Sequence, residues 1–391
     1  MMVLYGLGTT IGAGIYALVG EVAGLAGYFS PISFLIASLI ACFTAISFAE
    51  LSSRFPRAAG AALYVQQGFS SKHLSLLVGL LVISAGLVSA SALINAFVGY
   101  LHQFFDVEST HIIVVTALIL GALAIWGIYE SVLVAGLVTL IEVGGLLLVI
   151  SASAPALTEI PDLWSRLIPP PEGMVWTGIF SGAILAFYAF IGFEDMVDVA
   201  EEVKDVKKTL PRAILLTLGI TTMLYFILLV TVVLAMPPDE LAKSEAPLAD
   251  IYAYHTGRDA TIISVIGLFA IINGALIQMI MASRVLYGLS SRAQLPELLC
   301  YVHPRTRTPV VATLVATATV LTLALIGTLA GLATATSILM LVVFSLVNFS
   351  LWRIKLRDPF PVEASVFPLW IPVVGFITSS MFVLIELATL F

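Results

Sequence analysis

Apolar runs of about 20 residues, the length that crosses a bilayer as a helix, alternate with short polar segments along the whole chain. Eleven such runs are read at residues 2–25, 30–53, 75–101, 111–128, 131–154, 176–199, 210–236, 260–286, 310–329, 332–352 and 367–391, here called spans 1 to 11. Arg54-Phe55-Pro56 and Leu210-Pro211-Arg212 punctuate span ends, and the mildly amphipathic stretch 58–72 leads into span 3 along the surface. Glycine interrupts two spans. Span 1 carries Gly8-Thr9-Thr10-Ile11-Gly12-Ala13-Gly14-Ile15-Tyr16, and span 6 carries Phe187-Tyr188-Ala189-Phe190-Ile191-Gly192-Phe193-Glu194. Glycine weakens a helix. A helix broken inside lipid exposes amides and carbonyls that are tolerated only where they line a cavity or are buried in protein.

The basic residues orient the spans, because loops rich in Lys and Arg stay on the cytoplasmic side. With the N-terminus inside, the cytoplasmic loops and adjoining span ends hold fourteen of the 17 Lys and Arg residues; Arg166, Lys243 and Arg258 fall outside. Span 1 then starts inside and span 6 outside. Two units of five spans, each opened by a broken span, are therefore inverted relative to one another. The units are read at about 1–154 and 176–352, with an extra helix at about 367–391, all in one transmembrane domain. Paired breaks at matching places in two halves point to a transporter's binding site near the bilayer midplane. The expected fold class is an all-α polytopic membrane protein with a five-plus-five inverted-repeat core.

Composition agrees. The chain is 60% hydrophobic and 10% charged, against about 25% charged in a soluble domain. Its net charge of −7 carries less information than the placement of the charges. Cys42 falls inside a span and Cys300 in a cytoplasmic loop, so no disulfide between them is expected. The five histidines fall near span ends or in loops, without metal-ligand spacing. No cofactor or nucleic acid partner is expected, no cleaved signal peptide is read at the start, and no oligomer signal is seen.

Several motifs together resemble an amino acid permease of the amino acid–polyamine–organocation superfamily, closest to the cationic amino acid transporter branch. They are Gly8 to Gly24 in span 1, then Phe48-Ala49-Glu50-Leu51 with Arg54-Phe55-Pro56-Arg57 in span 2. Next come Phe187 to Glu194, Glu201-Glu202-Val203 and Leu210 to Ile214. Ser283-Arg284 through Ser291-Arg292 to Pro296, His303-Pro304-Arg305 and Thr308-Pro309 follow span 8. The resemblance covers nearly the whole chain. It implies a secondary active transporter of the cytoplasmic membrane that carries an amino acid by alternating access. That family usually adds a cytoplasmic N-terminal tail and a twelfth span, so the chain is expected to be a shortened member or an incomplete sequence; the five-plus-five core is present in either case.

An amino acid needs donors for its carboxylate and acceptors for its ammonium. Amides that open a helical half supply donors at a positive dipole end, which assigns the carboxylate to Gly12, Ala13, Gly14 and Ile15, just after Ile11. The resemblance implies ammonium acceptors at the carbonyls of Thr10 and around Tyr188 and Ile191. Gly12 and Gly14 let a ligand approach the backbone; the alternative is helix packing through small residues. Tyr188 and Phe190 are either an aromatic cover over the ligand or core aromatics, and Gly192 is the break itself.

Glu142 stands eleven residues into span 5, near mid-membrane, where a carboxyl group is a functional candidate by default. The resemblance implies that many relatives hold a lysine there. Three readings stay open: Glu142 carries the coupling proton, it helps hold a cation, or it is a neutral acid bonded to another polar group such as Asn273. Asn273, also near mid-membrane, is either part of ion coupling or a packing amide; Asn95 and Gln278 are weaker polar candidates. Glu50, Arg54, Glu194, Asp195, Asp198, Glu201, Glu202, Arg284 and Arg292 fall toward cytoplasmic ends. They form either an inner gate, with Glu50 and Arg284 as one example, or a solvated interface. A channel would want a polar stripe and an intramembrane enzyme a catalytic constellation, and neither is seen. An amino acid or polyamine exchanger and a non-transporting amino acid sensor would read alike in sequence. Cationic and neutral amino acids both remain open as substrates.

Overall fold

A computed structural model describes the chain apart from residues 58–59, 128–131, 156–163, 292–293, 362–363 and 390–391. Among the described residues the regular structure is entirely helical. Nine helical stretches are long and apolar enough to cross a membrane. The first, Met2–Arg54, contains two of the expected spans, Met2–Ala26 and Ser30–Arg54, separated at Gly27 with φ +57°. The shorter apolar helix Val310–Ile326 has 17 residues, about 26 Å at 1.5 Å per residue. Every expected span thus has its helix. Spans 3 to 5 are Lys72–His102, Ser109–Trp126 and Val132–Ser153; span 6 begins as Gly173–Phe187; spans 7 and 8 are Val206–Ala235 and Thr261–Ser291; spans 10 and 11 are Leu329–Arg357 and Trp370–Thr389. The amphipathic stretch before span 3 forms the helix Gly60–Phe69.

Two kinds of apolar surface hold these helices. Leu39, Leu118, Leu137, Met223 and Phe269 point outward and stay exposed, which suits hydrocarbon as well as a protein interior. Inside, small residues bring helices together. A side chain at Gly121 would meet Thr317 of span 9, and one at Gly267 would meet the Tyr100 ring of span 3. The packing also repeats. Span 1 lies on spans 5 and 7, and span 6 lies on spans 10 and 2. Span 3 touches 4, 9 and 10, while span 8 touches 9, 4 and 5; spans 2 and 7, 3 and 8, and 4 and 9 lie side by side. Adding five to a span number exchanges these contacts.

One ion cluster fastens the end of span 2. Buried Glu50 accepts from Lys355 Nζ of span 10 at 2.8 and 2.7 Å, and from Arg54 Nη2 at 2.6 Å and Nε at 3.0 Å. The Phe367 amide donates to Glu50 Oε2 at 3.0 Å, and Lys355 Nζ donates to the Phe367 carbonyl at 2.6 Å. The Ser365 amide donates to Ser53 Oγ at 2.9 Å, and Ser53 Oγ donates to the Lys207 carbonyl at 2.9 Å. The chain leading to span 11 is therefore tied to spans 2, 7 and 10. Glu50→Gln leaves two buried cations without their carboxylate, a cost on the order of 3–5 kcal/mol. Thermal unfolding in detergent should fall sharply for that variant and recover in part when Lys355→Met is added; no recovery in the double variant would contradict the charge balance.

Candidate functional site

Both glycine-marked spans are broken. Span 1 leaves helical geometry at Gly12, with φ −3° and ψ −135°. Span 6 tightens to a 3₁₀ turn at Tyr188–Phe190, extends at Ile191 (φ −64°, ψ 138°) and turns at Gly192 (φ +121°, ψ −20°). It resumes as a 3₁₀ segment, Phe193–Glu202, rather than an α-helical half. The φ of Gly192 lies where L-residues are strained. The breaks touch. A Cβ on Gly192 would collide with the Thr9 carbonyl, and one on Gly14 would lie 2.9 Å from Ala189 Cα. Gly12 instead faces open space, with nothing within 4 Å of a Cβ built there.

That space is a cavity of about 60 Å³, enough for about four waters. Span 1 lines it with Thr10, Gly12, Ala13 and Gly14, and span 6 with Tyr188 and Ile191. Glu142 of span 5 and Asn273 of span 8 face the same cavity, and span 3 adds Ser89. The buried Thr10 hydroxyl has no hydrogen-bond partner among the described residues, which leaves it for a water or ligand. A second cavity of about 120 Å³ shares Ser89, Ile191, Asp195 and Gln278 with the first and runs past Glu194 and Asp198 to Gly60. The two form one path from the breaks toward the helix Gly60–Phe69.

One tyrosine reaches the unwound backbone, and three others tie the spans around it. The Tyr225 hydroxyl of span 7 lies 3.1 Å from the Thr10 carbonyl, 3.2 Å from that of Ile11 and 3.1 Å from that of Ala189. One hydroxyl therefore reaches carbonyls from both breaks. Tyr16 donates to the Glu142 carbonyl at 2.6 Å, which ties span 1 to the turn of span 5 that carries the acid. Tyr100 donates to the Tyr16 carbonyl at 3.0 Å, and the Tyr188 hydroxyl lies 2.8 Å from Ser89 Oγ.

Several expected residues stand elsewhere. Ile11 and Ile15 are buried in the core and do not line the cavity. Phe190 is not a cover over the cavity: its ring packs on Tyr225 and Phe34, with centroids 5.3 and 6.2 Å apart, because the 3₁₀ turn directs it to span 7. Gly192 abuts span 1 rather than the cavity. The example gate pair is not formed, because Glu50 is held by Arg54 and Lys355 while Arg284 is exposed. Asn95 donates to the Ser91 and Ala324 carbonyls, a packing role. Arg292 lies outside the described residues. Tyr225 is absent from the sequence expectations; the signal for it is that a tyrosine deep in an apolar span needs a partner for its hydroxyl.

The sequence model of a family described as amino acid permease matches residues 2–391. The chain is 28% identical over 335 residues to the branched-chain amino acid permease BcaP of Bacillus subtilis, covering 80% of this chain and 70% of that one. It is 28% identical over 382 residues to the vacuolar cationic amino acid transporter 2 of Arabidopsis thaliana, covering 92% and 59%. With the human cationic amino acid transporter 4 it shares 26% over 336 residues, covering 80% and 52%.

The contact between the breaks makes Gly192 sensitive to a single added methyl group. Gly192→Ala should cost roughly 1–3 kcal/mol from backbone strain alone. Gly219→Ala, in span 7 with open space around it, should leave thermal unfolding unchanged or slightly raised. Equal unfolding temperatures for the two variants would contradict the geometry.

Proposed function

The chain belongs to the amino acid permease family, and from that premise we propose that it is a proton-coupled secondary transporter binding one amino acid between its two broken spans. Transport rather than catalysis is the activity of the named relatives. The observation that carries the reading is the meeting of both breaks in one cavity with Glu142 and Asn273 on its wall. The substrate carboxylate is received by the amides of Gly12, Ala13 and Gly14, at the positive end of the second half of span 1. Its ammonium is received by the carbonyls of Thr10 and Tyr188 and the unwound turn at Ile191. The side chain extends along the second cavity, between apolar residues such as Val82 and Met340 and the acids beyond Asp195.

The packing supports an alternating-access cycle. The repeated contacts support two five-span units, at about 1–154 and 176–352, inverted in the membrane. Breaks that touch each other through Gly14 and Gly192 supply a bending point in each unit. Glu142 is the coupling group: protonated, it enters the cavity without a charge; ionised, it attracts the ammonium. The basic loops support a cytoplasmic N-terminus in the cytoplasmic membrane.

Purified protein in proteoliposomes should accumulate a labelled amino acid, saturably, when an inward proton gradient is imposed. Glu142→Gln should keep the unfolding temperature and lose the pH dependence of uptake. Uptake only against preloaded amino acid would replace coupling by exchange, and amino acid binding without flux would make the chain a sensor.

A further inference from the structure

One face of span 8 runs past both cavities. Gly274 lines the central cavity, Ala282 and Val285 line the second, and Gln278, between them, lines both. One face of span 3 does the same. Leu93 lines the central cavity, Gly86 and Val82 line the second, and Ser89 lines both. Residues three and four apart share a helix face, so each span crosses from one cavity to the other within a single turn. Span 6 adds Ile191 and Asp195 at the same join. Residues from three spans thus frame a neck between the cavities.

One side of the neck is fixed. Ser89 Oγ lies 2.8 Å from the Tyr188 hydroxyl, and that hydroxyl lies 3.3 Å from the Ser89 carbonyl, which ties span 3 to the break of span 6. The other side rests on a glycine. A Cβ built on Gly86 would stand 3.1 Å from Gln278 Oε1 and 3.9 Å from Ala282 Cβ. The first distance is tighter than ordinary contact, and the atom it meets is the end of a flexible side chain. The missing side chain at Gly86 therefore gives the Gln278 amide its seat against span 3. Any side chain at that position pushes the amide away from span 3 and into the neck.

The two cavities differ in room and in lining. The central one, about 60 Å³, holds about four atoms of a water's size, which suits the charged end of an amino acid and little of its side chain. The second, about 120 Å³, has twice that room. Its walls on spans 3, 8 and 10 are apolar, at Val82, Val285 and Met340. On the span 6 wall, Glu194 Oε2 already accepts from the Gly192 amide at 2.9 Å. The space beyond the neck therefore suits methylene groups, and a chain must pass the neck to reach them. A side chain branched at Cβ brings two groups to that passage where a straight chain brings one.

We propose that Gln278, seated against Gly86, is a specificity-determining residue: its amide sets the width of the neck, and the neck selects amino acids with long unbranched side chains. This rests on the reading of an amino acid bound between the breaks.

Isothermal titration calorimetry of the purified protein in detergent with alanine, norvaline, norleucine and isoleucine tests the proposal. For the unaltered protein, affinity should rise roughly fourfold per added methylene from alanine to norleucine, and isoleucine should bind more weakly than norleucine. Gly86→Val should keep the affinity for alanine and lose the rise with length. Gly86→Ala, a smaller push on the amide, should lose part of the rise and remains readable if the valine variant does not fold. Adding Gln278→Ala to Gly86→Val should restore the rise, because no amide is left to displace. An undiminished rise in both Gly86 variants, or an alanine affinity that falls as far as that of norleucine, would overturn the neck. Isoleucine bound as tightly as norleucine would overturn selection against branching. Equal affinity of the unaltered protein for all four would overturn the neck and leave an amino acid site between the breaks. Binding of none would overturn that site and this inference with it.

Discussion

Backbone amides and carbonyls freed from a helix deep in a membrane must find partners within the protein, and the whole arrangement depends on how that demand is met. The Tyr225 hydroxyl meets part of it by reaching the carbonyls of Thr10, Ile11 and Ala189. It has one proton for three acceptors, so the carbonyls keep capacity for another donor, such as an ammonium. Two breaks that had to be satisfied separately would need separate partners. Because they touch at Gly14 and Gly192, one tyrosine and one cavity serve both.

The rest of the fold keeps that pair of breaks in register. Small residues let spans 3, 4, 8 and 9 approach closely, as at Gly121 and Gly267. Span 7 brings Tyr225 to the breaks and also lies against span 2, whose end is held by the Glu50 cluster. Buried ions are expensive unless fully paired. Here one carboxylate gathers two cations and an amide across a separation of more than 300 residues. Charged contacts thus hold the end of span 2, while hydroxyl–carbonyl bonds hold the two breaks.

Much of this was legible in the sequence, for a physical reason. Apolar run length gave the eleven helices, and glycine in Gly12 and Gly192 marked the breaks because few other residues tolerate those backbone angles. The depth of Glu142 and Asn273 along their spans brought them to notice, and both line the central cavity. What was not legible depends on rotation about helix axes and on long-range packing. Phe190 sits two residues from Tyr188, yet the 3₁₀ turn sends one ring to Tyr225 and Phe34 and the other to the cavity. The partner of Glu50 in span 10 is not readable from its own segment: Lys355, not Arg284, stands against it. Tyr225 looked like one more aromatic in an apolar run.

The central claim is that the two breaks together form the amino acid site. An electron cryomicroscopy structure of the protein with its tightest-binding amino acid tests it most directly. Binding between the breaks places ligand density with the carboxylate against the amides of Gly12 to Gly14 and the amino group against the unwound carbonyls of Thr10 and span 6. Density confined to the second cavity, or to any surface away from both breaks, would contradict it.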